Sequence, residues 1–112
     1  MKLSAREADG AMVVRVEESR IDAAVAIQFK DAMREMTQAA RGRVVLDLAR
    51  VGFIDSSGLG AIVSVLKFLG PDRRLELAAL GPNVERVFRL TRMNEVFRIL
   101  PESPGAAADH DG

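Results

Sequence analysis

Asp55-Ser56-Ser57-Gly58 and, two positions on, Gly60 bring an acid, two hydroxyls and two glycines into one short stretch near the middle of the chain. Residues of these types could do three things. A serine could act as a nucleophile, but that chemistry needs a base, usually a histidine oriented by an acid. The only histidine is His110, close to the C-terminus, and the stretch lacks the G-x-S-x-G elbow. Hydrolase chemistry is therefore disfavoured, and the chain is expected not to be an enzyme. A glycine-rich loop could cradle phosphate, but no lysine follows the glycines as a Walker motif requires. Nucleotide or small-ligand binding is thus weakly signalled and stays as an alternative. Finally, carboxylate and hydroxyl oxygens can accept from the unpaired N–H groups of a helix N-terminus, so the group reads as a cap. Whatever occupies that tip feels the positive end of the helix dipole.

Two flanking elements must position this stretch. Val44-Val45-Leu46-Asp47-Leu48 is short, β-branched at its start and nearly continuously apolar, the pattern of a strand buried on both faces at the centre of a sheet. Leu59 to Leu69 reads as a helix, and its 3.6-residue period places Leu59, Ile62, Val63, Leu66 and Leu69 on a core side. The outward side collects Gly60, Ala61, Ser64, Lys67 and Phe68, with the two serines at its N-terminal end. Small residues, little charge and one large apolar group suit a protein partner as well as water.

The remaining chain supplies the frame. Asp9-Gly10 lies between weakly patterned residues 2 to 8 and the strand-like Ala11 to Val16, which predicts an opening β-hairpin. Ile21-Asp22 leads into a helix with a stripe through Val25, Phe29, Met33, Met36 and Ala40, with Asp22 as its N-cap and Gly42 as its stop. Gly70-Pro71-Asp72 ends the helix after the serines, Leu75 to Leu80 reads as a strand, and Pro82 opens a short amphipathic helix through Val84, Val87, Phe88 and Leu90. Thr91 to Glu95 reads as a turn and Val96 to Leu100 as a last strand. Alternating strands and helices after a hairpin predict an α/β fold, a mixed sheet with helices packed mainly on one face. Residues 1–100 form one domain, and 101–112, rich in Pro, Gly, Ala and acids, read as a mobile tail.

Composition narrows the function. Sixteen basic and sixteen acidic residues cancel, leaving no electrostatic footprint for nucleic acid or anionic membrane. The absence of cysteine removes disulfides, thiolate metal sites and cysteine nucleophiles together. No metal and no cofactor are expected. Residues 1 to 20 hold no signal-peptide core, and the longest apolar stretch, ending at Lys67, is too short to span a bilayer. A cytoplasmic protein is the expectation.

Val45-Leu46-Asp47-Leu48, Val51 and Phe53-Ile54-Asp55-Ser56-Ser57-Gly58-Leu59-Gly60 closely resemble the signature of bacterial anti-sigma factor antagonists, which are STAS domains. Weaker resemblance runs from the hairpin through Ile21-Asp22 and Leu75 to the Pro82–Leu90 helix, over roughly residues 3 to 100. The resemblance implies a STAS-like sheet and a partner switch. In that family the first serine after the aspartate, Ser56 here, is phosphorylated by an anti-sigma factor that is also a serine kinase. The unphosphorylated antagonist binds the kinase, phosphorylation releases it, and a PP2C-type phosphatase resets it. Asp22 matches an aspartate of the family's functional surface. With Asp22, the partner-binding set is Asp55, Ser57, Gly58, Gly60, Ser64 and Phe68. Ser19-Arg20 departs from the glycine and acid common in the family, and Arg20 has two readings, a partner for a phosphate on Ser56 or an unpaired solvent-exposed arginine. A constitutive STAS interaction module without phosphorylation is the other reading.

Overall fold

The computed structural model describes residues 1–105. β1 (Leu3–Ala8) and β2 (Ala11–Val16) form the expected antiparallel hairpin. Asp9 and Gly10 at its turn both have positive φ, 53° and 77°, the conformation whose twist matches that of the flanking strands. There follow β3 (Arg20–Ile21), α1 (Ala26–Met36), β4 (Val44–Asp47), β5 (Phe53–Ile54), α2 (Ser56–Leu69), β6 (Leu75–Ala78), α3 (Pro82–Leu90) and β7 (Ile99–Leu100). Short 3-10 turns occupy Pro71–Arg73 and Met93–Glu95.

The main sheet has the order β1-β2-β4-β6-β7, parallel except at the hairpin, with β4 at its centre. Every residue from Val44 to Leu48 is buried, which explains an apolar run that only Asp47 interrupts. In register, Val14, Leu46, Leu77 and Ile99 lie side by side, and the next row is Arg15, Asp47, Ala78 and Leu100. Successive rows face opposite sides. The first side carries the main core: Phe29 and Met33 from α1, Ala61, Ile62, Val65 and Leu69 from α2, and Val84 and Phe88 from α3 pack with Val14, Val16, Leu46 and Leu77. The helices therefore share one face, as the alternation of elements predicts. No helix among the described residues is long and apolar enough to cross a membrane.

The other face is covered differently. A small apolar patch of Ala11, Val13, Val45 and Ala78 lies beside two buried carboxylates, Glu76 and Asp47, 0% and 2% exposed. A buried charge is tolerated only when paired. Glu76 receives Arg43 Nη2 at 2.8 Å, with Arg98 Nη1 at 3.6 Å and Arg74 Nε at 3.9 Å. The hydrogen bond to Glu76 holds the Arg43 guanidinium still more firmly protonated than usual. Asp47 accepts from the Ala49 N–H at 2.9 Å and lies 3.4 Å from Arg15 Nε, while Ser103 Oγ donates to its Oδ2 at 2.6 Å. Ser103 belongs to the segment 101–105, which reaches from β7 to the opposite edge of the sheet. A Cβ placed on Gly105 would meet Arg6 Nη1 at 3.0 Å and Ala8 Cβ at 3.1 Å. Of the tail expected from residue 101, this much lies against the sheet, and 106–112, with His110, fall outside the described residues.

Element boundaries depart from expectation in four places, the first being β6, which ends at Ala78 instead of Leu80 as Ala79 turns to a positive φ of 61°. α1 starts at Ala26, not at Asp22. Asp22 instead closes the preceding turn, its Oδ1 accepting from the Ala24 N–H and its carbonyl from the Val25 N–H, both at 3.1 Å. α1 stops at Met36, six residues before Gly42, where the buried Thr37 turns its hydroxyl back to the Met33 carbonyl at 2.6 Å. The last strand contracts to Ile99–Leu100 because the Met93–Glu95 turn delivers Phe97 into the core, edge-on to Phe88 with ring centroids 5.8 Å apart.

Since Ser103 donates to a buried carboxylate, Ser103→Ala should lower stability by about 1 to 3 kcal/mol, the range for a hydrogen bond to a charged group. Urea unfolding of the two proteins checks this, and coincident curves would show that Asp47 does not depend on the segment.

Candidate functional site

β3 and β5, two residues each, pair in parallel away from the main sheet, Arg20 beside Phe53 and Ile21 beside Ile54. The residues that follow, Asp22 and Asp55, thereby leave the pair at equivalent positions. Asp55 is the N-cap of α2, in extended conformation, and its Oδ1 accepts from the Gly58 N–H at 2.9 Å. Its Oδ2 accepts from the Ala23 N–H at 3.1 Å. One carboxylate thus fastens the start of α2 to the turn before α1. These donors, the Gly58 N–H foremost, hold the Asp55 carboxyl below its ordinary value against the opposing effect of burial.

Ser56 and Ser57 are the first residues of α2 and both are exposed. Among the described residues neither hydroxyl has a hydrogen-bond partner. Asp55 has both oxygens committed to backbone N–H groups and is no base for either serine. The arrangement sets an exposed hydroxyl at the positive end of a helix, where added negative charge meets a favourable dipole.

Gly58 explains how the helix comes so close. A Cβ there would lie 1.9 Å from the Ile21 carbonyl oxygen and 2.7 Å from its carbon. Gly58 is buried and serves the packing of α2 on β3. Gly60 has no heavy atom within 4 Å of such a Cβ and is exposed. The exposed side of α2 continues through Ser64, whose Oγ donates to the Gly60 carbonyl at 3.1 Å, to Lys67 and the half-buried Phe68. Ala61, expected on this side, is buried, and Leu59, Val63 and Leu66, expected in the core, are half-buried at its edge, while Val65 is fully buried. The helix is rolled relative to its apolar projection because Gly58 must face Ile21.

The structure brings Asp22, Asp55, Ser56 and Ser57 to one end of α2, and it places Phe68 at the other, three turns away. Arg20 lies between Asp22 and Phe53. Arg20 Nε is bonded to Asp22 Oδ2 at 3.1 Å and the guanidinium lies over the Phe53 ring, 4.6 Å from its centre. Two exposed apolar residues beside these elements, Phe53 on β5 and Ile27 on α1, went unread in the sequence, where nothing marks an apolar side chain as exposed.

The chain belongs to the STAS domain family, whose profile matches residues 2–106. It is 31% identical over 109 residues to BtrV of Bordetella bronchiseptica, provisionally named an anti-sigma factor antagonist, covering 96% of this chain and 93% of that one. The anti-sigma-B factor antagonist of Listeria monocytogenes is 35% identical over 81 residues, 70% of each protein. Among solved structures, an anti-sigma factor antagonist from Mycobacterium paratuberculosis superposes with a TM-score of 0.78 at 27% identity, over 89% of this chain and 85% of that one.

The two glycines should respond oppositely to alanine. Gly58→Ala must displace backbone and should cost about 3 kcal/mol or more, whereas Gly60→Ala fills open space in a helix and should stabilise by about 0.5 to 1 kcal/mol. Thermal melts of both variants check this. Asp55 sets an acid limit. Because its folded carboxyl titrates below 3.8, the stability it contributes is complete above that ordinary value and is lost as pH falls through the lower folded one. In Asp55→Asn this part of the acid-unfolding curve should disappear, and a carboxyl NMR titration should place the wild-type midpoint below 3.8.

Proposed function

We propose that this STAS domain is an anti-sigma factor antagonist that works as a phosphorylation-controlled partner switch with Ser56 as the acceptor. The observation that carries this reading is the exposed, unpartnered Ser56 hydroxyl on the first turn of α2, beside an Asp55 that caps the helix in its stead. The unphosphorylated form binds an anti-sigma factor that is also a serine kinase, through Asp22, Ser57 and the exposed side of α2 at Gly60, Ser64 and Phe68. The kinase transfers phosphate to Ser56 and the complex dissociates. A PP2C-type phosphatase resets it. The domain is a substrate and a binding partner, not a catalyst. Its relatives' names, the match of Asp55-Ser56-Ser57-Gly58 to the family motif and the site geometry support this reading.

The energetics favour release over unfolding. A phosphoserine adds about 1.5 to 2 negative charges, and at a helix N-terminus it meets a favourable dipole worth about 0.3 to 1 kcal/mol. In an interface it must lose water and face the acids of both partners. One unit-charge repulsion at about 6 Å is worth roughly 1 to 3 kcal/mol at effective dielectrics of about 20 to 60, before desolvation is added. Affinity for the kinase should therefore fall about tenfold to a hundredfold or more on phosphorylation, with the melting transition intact. Calorimetry with the Ser56 phosphoprotein, alongside circular dichroism melts of both forms, tests this. Equal affinities would remove the switch, and a collapsed transition would mean that phosphate acts by unfolding the domain. Ser56→Ala should bind and stay bound in the presence of ATP.

A further inference from the structure

Between α1 and α2 runs an open groove of about 420 Å³ lined by Lys30, Asp31, Arg34, Ser64, Lys67 and Phe68. We propose that this groove receives an acidic segment of the partner protein, which Lys30, Arg34 and Lys67 recognise. The proposal rests on the partner-binding reading above and adds the chemistry of the surface that the partner presents.

Three observations carry it. First, the groove is charged and unneutralised. Elsewhere Arg15, Arg20, Arg43, Arg50 and Arg89 each have a carboxylate within reach. Lys30, Arg34 and Lys67 have none among the described residues, and although Arg41, Arg86 and Arg92 also lack one, only Lys30, Arg34 and Lys67 together line a single groove, with Asp31 the single acid on its rim. Helix dipoles account for the sign of Arg34 and Lys67, each in the last turn of its helix, but not for Lys30 or for the convergence of all three. Second, the groove is held in shape. Arg34 lies over the Phe68 ring, 4.4 Å from its centre, and Arg73 ties the helix ends together by donating to the Thr37 carbonyl at 3.0 Å and the Phe68 carbonyl at 3.4 Å. Third, the spacing suits a chain of separate charges. Lys30 and Arg34 stand one turn apart on α1, with Lys67 across the groove on α2, a row that carboxylates along a peptide can follow and a single small anion cannot. The groove shares Ser64 with the exposed side of α2 that runs back to Ser56. At the Ser56 end Asp22 is paired with Arg20 and Asp55 caps α2, so the unpaired charge on this side lies in the groove.

The test uses the full chain, isotope-labelled for NMR and titrated with a soluble peptide of alternating Glu and Gly, its Lys counterpart and an oligothymidylate. The acidic peptide should shift the amides of Lys30, Arg34, Ser64 and Lys67, and the shifts should vanish when salt is raised to about 0.5 M. Lys30→Glu with Lys67→Glu, which leaves the Arg34 stack in place, should weaken the peptide at least about tenfold with an unchanged fold. No shifts, shifts centred on Arg43, Arg74 and Arg98, an equal response to the lysine peptide or the oligonucleotide, or insensitivity to the double variant would each overturn the proposal. The switch is scored separately, since Ser56 phosphorylation can still abolish kinase binding when the groove takes no peptide. Conversely, groove shifts that persist in Ser56→Asp stand whether or not Ser56 is the acceptor.

Discussion

The close approach of the α2 backbone to the Ile21 carbonyl is the constraint on which the rest of the site depends. A helix start and a strand can meet at this distance only where a side chain is missing, and Gly58 provides that gap. Once it is there, Gly58 offers its N–H to Asp55, Asp55 turns its other oxygen to Ala23, and the turn before α1 is fixed. The roll of α2 follows as well, since the residue facing β3 determines which residues face solvent. Ser56 and Ser57 are exposed as the geometric remainder of that contact.

Charge is distributed in a way that the neutral total conceals. Sixteen cations and sixteen anions read as an unremarkable surface, yet two of the carboxylates, Glu76 and Asp47, are buried in the sheet face away from the helices and draw arginines to them. Those arginines hold buried acids in a medium where an unpaired charge is costly. The helical side is left with Lys30, Arg34 and Lys67 in the groove between α1 and α2. A zero sum is therefore a poor guide to local potential, and the argument from composition against a basic surface holds only for the molecule as a whole.

Much of the frame was legible because local chemistry and tertiary role agreed. Asp9-Gly10 suits its turn whatever surrounds it, Val44 to Leu48 is apolar because both faces of β4 are covered, and Pro82 opens a helix with a strongly one-sided pattern. The site motif was legible as a family signature and as a cap, and Asp55 does cap the helix. β3 and β5 were not, because two residues are too few for any periodicity and each exists only through its pairing with the other. The start of α1 was misplaced because a side-chain turn at Asp22 carries the same residue preference as a helix cap. Ala61 was assigned to the wrong side of α2 because Gly58, the residue that orients the helix, has no hydrophobicity to contribute to a projection.

The segment that carries Ser103 changes how the sheet holds together. β1 is an edge strand whose backbone pairing is confined to the adjacent β2, so by itself it would open and close as a local hairpin. Residues 101–105 close a circuit from β7 back to β1, with Ser103 and Asp47 56 positions apart in sequence. Closing a loop of that span costs chain entropy, which the contacts of the assembled sheet must offset. In the finished sheet the closure gives the edge strand a second neighbour, Gly105 beside Arg6 and Ala8, drawn from a segment nearly a hundred residues away along the chain.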